Sequence, residues 1–235
     1  MRLVKVIMHK EIIKELESLK NLKQKDIYQR FFKTKKGEYG ENDIFLGIRV
    51  PVLRKLSKKY KDISLYDCEK LLKNKYHEVR ILSLFILVLN YDKYPNEVYN
   101  IYLNNKQYIN NWDLVDTSSS HIIGKHIYNK KVDNKILYSL ISTNSLWNIR
   151  IAILATLYLI RNNDFNDIIK ISKLFLKKNH DLIDKAVGWM LREMGKRDKD
   201  ELLKFLNENY KLMPRTMLRY SIEKLESNLK QKYMN

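Results

Sequence analysis

The stretch INNWDLVD, residues 109–116, sets Trp112, Asp113 and Asp116 close together in the chain. Helical spacing puts Trp112 and Asp116 one turn apart on a single face. Asp113 then points about 100° away, and it reads as a first-turn or capping acid, with a catalytic part as the alternative. A carboxylate beside an aromatic face stands out in a chain with 45 Lys and Arg against 27 Asp and Glu. Cationic neighbours lower an Asp pKa from its ordinary value of about 3.9, so Asp116 is suited to stay ionised. No acid partner is evident beside it. The five histidines are scattered, and no His–Asp or His–Glu cluster has a recognisable spacing.

Helices must position these groups. The chain has only six glycines and three prolines, and strand-like alternation is short and rare. Helical spacing runs through VPVLRKLSKKY, YHEVRILSLFILVL, LWNIRIAILATLYLI, HDLIDKAVGWMLREMGK and PRTMLRYSIEKL. The breaks, such as RNNDF and GKRDKD, are brief. Pro51 and Pro214 suit a first helical turn, and Asn or Asp stands near several other starts. Aligned at their starts, the inner helices carry Arg80, Asp116, Arg150, Lys185 and Arg219 at one position, in steps of 36, 34, 35 and 34 residues.

A period near 35 signals stacked helical hairpins, because one hairpin cannot bury its apolar stripe alone. The expected fold is all-α: a curved solenoid of HEAT-like helical hairpin repeats. It forms a single domain over residues 1–235, with residues 1–45 as an N-terminal helical cap and loop. The second helix of each hairpin would line the concave face. A cation repeated at one position either braces the next repeat or faces a ligand, and both readings stand for Arg80 and Arg219. Asp116 is the exception in that column.

The three tryptophans, Trp112, Trp147 and Trp189, all fall in these inner helices. Trp112 lies four residues before Asp116, and Trp189 four after Lys185. Either indole could be core filling, but their placement beside the charged column equally suits a cleft. Trp147, inside a mostly apolar helix, reads as core packing.

Composition narrows the class. Hydrophobic residues make up 45% of the chain, which excludes a disordered basic tail. No apolar run reaches the roughly 18 residues of a membrane span. MRLVKVIMHKEIIKELESLK lacks a signal peptide's apolar core and cleavage site. The single cysteine, Cys68, has no internal partner and reads as a small buried apolar residue. These features together read as a cytoplasmic protein. Abundant Lys, Asn, Ile and Tyr suggest an AT-rich genome, which discounts the charge in part. A formal charge of +18 still points to a polyanion, nucleic acid first. No helix opposes a bulky aromatic face to an all-basic one, as a membrane-surface helix would.

INNWDLVD, LWNIRIAIL, AVGWMLREMGKR and MPRTMLRY, in this order, resemble the AlkD-type DNA alkylation repair glycosylases, as does FLGIRVPVLRKL near the start. The resemblance runs from about residue 26 to 226. It implies a HEAT-like solenoid that removes positively charged N7- and N3-alkylpurines from duplex DNA without deep base flipping. Carried over by motif, the catalytic group falls on Asp116. Trp112, Trp189 and Arg150 would bind substrate, and Lys185, Arg192 and Arg219 the DNA backbone. The chain departs from the family's shorter members at KTKKGEYGEND, where an aromatic would contact the lesion. Phe31, Phe32 and Tyr39 all remain open for that part.

The implied chemistry needs no proton donor, no cofactor and no metal. A cationic alkylpurine leaves C1′ as a neutral base, and only the positive charge growing on the sugar needs stabilising. An ionised Asp116 does this and orients water. The indole faces add to it, and Arg150 grips a phosphate. The resemblance therefore implies a monofunctional DNA glycosylase acting as a monomer on double-stranded DNA, with no obligate protein partner. The alternatives are a non-catalytic helical-repeat scaffold for damaged DNA or structured RNA, and a protein–protein adaptor. The +18 charge disfavours the adaptor unless its partner is acidic. Duplex binding should weaken steeply between 50 and 200 mM salt, and fluorescence anisotropy with undamaged duplex measures it.

Overall fold

The computed structural model describes residues 8–234. The start of the basic N-terminal stretch, residues 1–7, lies outside them, as does that part of the expected 1–45 cap. The described residues are all-α helical repeat, and their only strand-like pairing is an isolated bridge between Ile44 and Tyr76. Internal packing divides the chain into two compact units, Met1–Ser118 and Ser119–Asn235.

The first unit begins with α1 (His9–Ser18) and α2 (Leu22–Phe31). An irregular stretch follows, then α3 (Val50–Lys59), α4 (Leu65–Leu72) and α5 (His77–Asn90). It ends with α6 (Pro95–Asn104) and the short α7 (Trp112–Asp116). Side-chain caps open several helices. Asn21 accepts from Gln24 N at 2.9 Å and Ser64 from Asp67 N at 3.0 Å, which satisfies otherwise orphaned donors. Pro51 sits in the first turn of α3 and Pro95 in that of α6. Pro214 stands one residue before its helix rather than inside it.

Helix α5 is the axis of this unit. α3, α4, α6 and α7 all pack on it, and every residue from His77 to Leu87 is buried. A helix apolar nearly all round belongs in a core. Three of its buried residues, His77, Glu78 and Arg80, are nonetheless charged or titratable. Glu78 accepts the backbone N–H groups of Leu46, Gly47 and Ile48 at 2.8, 2.7 and 3.2 Å. His77 N donates to Ile44 O at 2.9 Å. These bonds tie the irregular stretch before α3 to the start of α5. Cys68, in α4, is fully buried, and burial pushes its thiol up to about 12. It is a packing residue, as expected.

The second unit opens with one π-helical turn, Ser120–Gly124, running into α8 (Lys125–Tyr128). Then come α9 (Lys135–Ser142), α10 (Leu146–Arg161), α11 (Asn166–Leu174) and α12 (Asp181–Arg197). α13 (Lys199–Asn209), α14 (Arg215–Ser221) and α15 (Ser227–Met234) complete it. The GKRDKD break is tighter than it reads. Asp198 alone separates α12 from α13, and its side chain caps the second helix through Glu201 N at 2.9 Å. α14 ends at Ser221, earlier than the apolar spacing through Leu225 suggests.

Helix α10 packs on α9, α11 and α12, and α12 packs on α13 and α14. Two glycines allow the close approaches. A Cβ at Gly124 would run into the Ala155 carbonyl, and one at Gly188 into the Met217 carbonyl. Both partners lie somewhat less than one repeat further along the chain, so these are contacts between successive repeats.

One buried group works against folding at neutral pH. Asp184, in α12, is 1% exposed, neither of its carboxylate oxygens has a hydrogen-bond partner, and burial raises its pKa to about 6. The folded pKa lies above the ordinary aspartate value of about 3.9, so the folded state holds this proton more tightly. The penalty is absent below about pH 4 and complete above about pH 6. Asp184→Asn should therefore gain stability relative to wild type as pH rises from 4 to 7.5, by on the order of 1–3 kcal/mol. Urea unfolding of both proteins across that range measures it.

Candidate active site

Helix α7 carries Trp112, Asp113 and Asp116, and it is only five residues long. So short a helix cannot hold itself, and its neighbours hold it. Asn111, fully buried, caps it by accepting from Trp112 N at 2.9 Å and donates to Asp43 Oδ2 at 2.8 Å. At the other end, Thr117 Oγ1 returns to Asp113 O at 2.7 Å and Ser118 Oγ to Leu114 O at 2.6 Å. Leu114 and Val115 face the core. Trp112 and Asp116 are half-buried and sit one turn apart.

The Trp112 ring is built into a stack. It lies nearly parallel to Phe32, with centroids 5.2 Å apart and planes 15° apart. Phe32 stacks on Phe45 at 4.9 Å, and Phe45 on His77 at 4.4 Å. Phe31 meets Trp112 edge-on at 5.9 Å. Phe31 is exposed, whereas Phe32 is buried. Of the three aromatics left open by the sequence, Phe31 and Phe32 therefore adjoin Trp112. Tyr39 stands under Lys33 instead, with Nζ 5.8 Å from its ring centre. These rings, with Tyr28, wall an apolar cavity of about 310 Å³ whose lining includes His77 and Asp113.

Beneath the stack lies a cluster that the sequence reading did not find. His77 Nε2 contacts Asp113 Oδ2 at 2.8 Å, and Nδ1 contacts Asp43 Oδ2 at 3.1 Å. Arg80 pairs with the other oxygen of Asp43. Burial alone would depress the His77 pKa, but Asp113 and Asp43 outweigh it and raise the pKa to about 9. Burial alone would likewise raise that of Asp43, yet His77 and Arg80 bring it down to about 2. His77 is thus an imidazolium at neutral pH, donating from both ring nitrogens. The fold thus builds a His–Asp cluster from residues whose spacing in the chain had no recognisable local pattern. Asp113 stands in the first turn of α7, as expected, and it is also the partner of a buried imidazolium. The signal was present: His77 precedes Asp113 by 36 residues, the step that separates Arg80 from Asp116.

Of the two readings open for Arg80, its buried pairing with Asp43 favours the brace. The second unit holds the other singled-out residues. Arg150 is 5% exposed and donates to Leu182 O at 2.6 Å, a brace between α10 and the first turn of α12. Trp189 is half-buried, and its indole N–H donates to Glu193 Oε1 at 3.0 Å. Lys185 reaches Asp181 at 2.7 Å, Arg192 pairs with Glu223, and Arg219 is exposed on α14. Trp147, in the first turn of α10, is half-buried rather than sealed in the core. The open cleft of about 670 Å³ beside Lys130 and Lys131 contains none of these residues. Its buried carboxylate, Asp167, is already engaged by Asn134 and Tyr138.

The described residues form an all-α helical repeat whose helices carry Trp112 and Asp116 in the first unit and Trp189, Lys185 and Arg219 in the second. The family described as DNA alkylation repair enzyme matches residues 12–225, and the chain belongs to that family. A solved structure described as "Predicted DNA alkylation repair enzyme from Enterococcus faecalis" shares the fold. The TM-score is 0.70 at 18% identity, over 88% of this chain and 97% of that one. No curated protein matches the sequence.

The two phenylalanines beside Trp112 should separate cleanly in stability. Phe32→Ala empties a buried stack and should cost about 3 kcal/mol or more. Phe31→Ala removes an exposed ring and should stay within about 0.5 kcal/mol of wild type. Denaturant unfolding distinguishes them.

Proposed function

We propose that this protein is a monofunctional DNA glycosylase that excises N7- and N3-alkylated purines from duplex DNA. Membership of the alkylation repair family supports the substrate. The observation that carries the reaction is the pairing of Trp112 and Asp116 one turn apart on α7, both partly open to solvent, in a strongly basic chain.

The alkylated purine already bears a positive charge, so the bond between C1′ and its ring nitrogen breaks with both electrons going to the base. The base leaves neutral and needs no proton. Charge then grows on the deoxyribose, where ionised Asp116 stabilises it. A unit charge pair at 4 Å contributes about 4 kcal/mol at an effective dielectric of 20, roughly a thousandfold in rate. Water adds its oxygen to C1′, Asp116 orients it, and the released proton passes to solvent, leaving an abasic site. The indole face of Trp112 favours the cation by about 0.5–2 kcal/mol.

Arg150 is assigned a supporting part, bracing α12 while adding positive charge that attracts phosphate. Lys185, Arg192 and Arg219 are assigned to backbone phosphates. The first two are paired with acids at rest, so DNA would exchange one anion for another. Of the N-terminal aromatics, Phe31 is assigned the lesion side, because it is exposed and borders Trp112. The monomer acts on double-stranded DNA, and the step as written requires no cofactor.

The test is release of 7-methylguanine from a duplex without added metal. Asp116→Asn should lose on the order of a thousandfold in single-turnover rate while binding undamaged duplex as wild type does. Equal release by the two proteins would remove Asp116 from the mechanism. Binding with no release by wild type would favour the scaffold alternative.

A further inference from the structure

The buried charges under Trp112 do more than close a core. The apolar walls around His77 alone would favour neutral groups, since burying ions costs several kcal/mol each unless they are paired and hydrogen-bonded. Here two carboxylates, an imidazole and a guanidinium are buried together. All but Asp113 are almost fully sealed. Such a cluster favours one geometry over others, because any shift leaves a buried charge without its partner.

What that geometry holds is α7, and three contacts converge on it. His77 grips Asp113 at 2.8 Å. Asp43, itself bonded to His77 and Arg80, grips the cap residue Asn111 at 2.8 Å. The third contact is the ring stack, which runs from Phe45, lying on His77 itself, through Phe32 to Trp112. Both the backbone of α7 and the plane of the Trp112 ring are therefore referred to one imidazole.

We propose that His77 is a positioning residue for the excision reaction: bridging Asp43 and Asp113, it sets the placement of Trp112 and Asp116. The inference rests on the roles given to those two residues above. At 2% exposure, with both ring nitrogens engaged, His77 touches no substrate. The groups bonded to it are Asp43 from the loop and Asp113 from α7; Arg80 pairs with Asp43, and Glu78 and Tyr28 line the same cavity. Glu78 is turned to three backbone amides, and Tyr28 is held neutral, its pKa raised by burial and by Glu78. Asp43 and Asp113 therefore hold the His77 proton. When it leaves, a neutral ring keeps a single N–H, and one of the two carboxylates loses its donor.

The experiment combines two readouts. Single-turnover excision at saturating enzyme is followed from pH 6.5 to 10 for wild type and His77→Gln, with enzyme-free duplex as the control for spontaneous loss. The wild-type rate should hold to about pH 8.5 and fall as pH passes about 9. At pH 7.5 His77→Gln should be about 10- to 100-fold slower, with duplex Kd within twofold of wild type, and should lack the limb near 9. A merely structural role would change the folded fraction and leave the rate per folded molecule unaltered. The second readout needs no activity and no variant of His77. In wild type, the carbon-bound proton signals of the Trp112 ring, assigned with Trp112→Phe, should shift along the His77 titration. The positioning role is overturned if His77→Gln matches wild type in rate and pH profile, or if Trp112 is indifferent to the His77 titration. A wild type that releases no base at pH 7.5 would instead defeat the glycosylase reading, while the ring titration still tests the link between His77 and Trp112.

Discussion

A helix pair of this kind has more apolar surface than it can cover, and covering it requires the next pair at a fixed height. The constraint is visible wherever a side chain reaches about one repeat along the chain. Within the first unit, His77 meets Asp113 and Arg80 meets Asp43. Within the second, Arg150 meets the carbonyl of Leu182, Asn134 meets Asp167, and Gly188 lets α12 approach Met217. Polar residues recur at these points because α5 and α10 are otherwise sealed in hydrocarbon. A few directional bonds then decide which register of otherwise interchangeable apolar stripes is adopted.

The same constraint governs where chemistry can sit. A five-residue helix has little stability of its own, yet α7 carries the indole and the carboxylate to which the reaction is assigned. Its support comes from Asn111, Asp113 and the aromatic stack, all tied to Asp43 and His77. A reactive group that must meet a transient charge benefits from a rigid mount, since reorganisation at the moment of reaction would erode its electrostatic effect. The irregular stretch 32–49 serves that mount: it supplies Asp43 and Phe45, and its end is pinned by Glu78.

Much of the architecture was legible in the residues. Sparse glycine and proline with apolar spacing of 3 and 4 indicate helices, and α3, α5, α10 and α12 fall within a residue or so of the quoted runs. The spacing of Arg80, Asp116, Arg150, Lys185 and Arg219 indicates repeats, and each of these residues lies in a helix. Helix ends were less legible. The stop of α14 at Ser221, the interruption of α7 after Asp116 and the single-residue junction at Asp198 are set by backbone hydrogen bonds and packing rather than by residue type.

Sequence alone determined what depends on residue type and interval: an all-α repeat, a basic chain, and Trp112 one helical turn before Asp116. Those properties survive any arrangement of the helices. Tertiary structure alone decided which charges are buried together. Asp43, His77, Arg80 and Asp113 are separated by a loop and three helices, so their meeting depends on how the loop folds back and how adjacent repeats stack. Local pattern does not carry that information. It arises only when burial removes water and leaves these charges to be neutralised chiefly by one another.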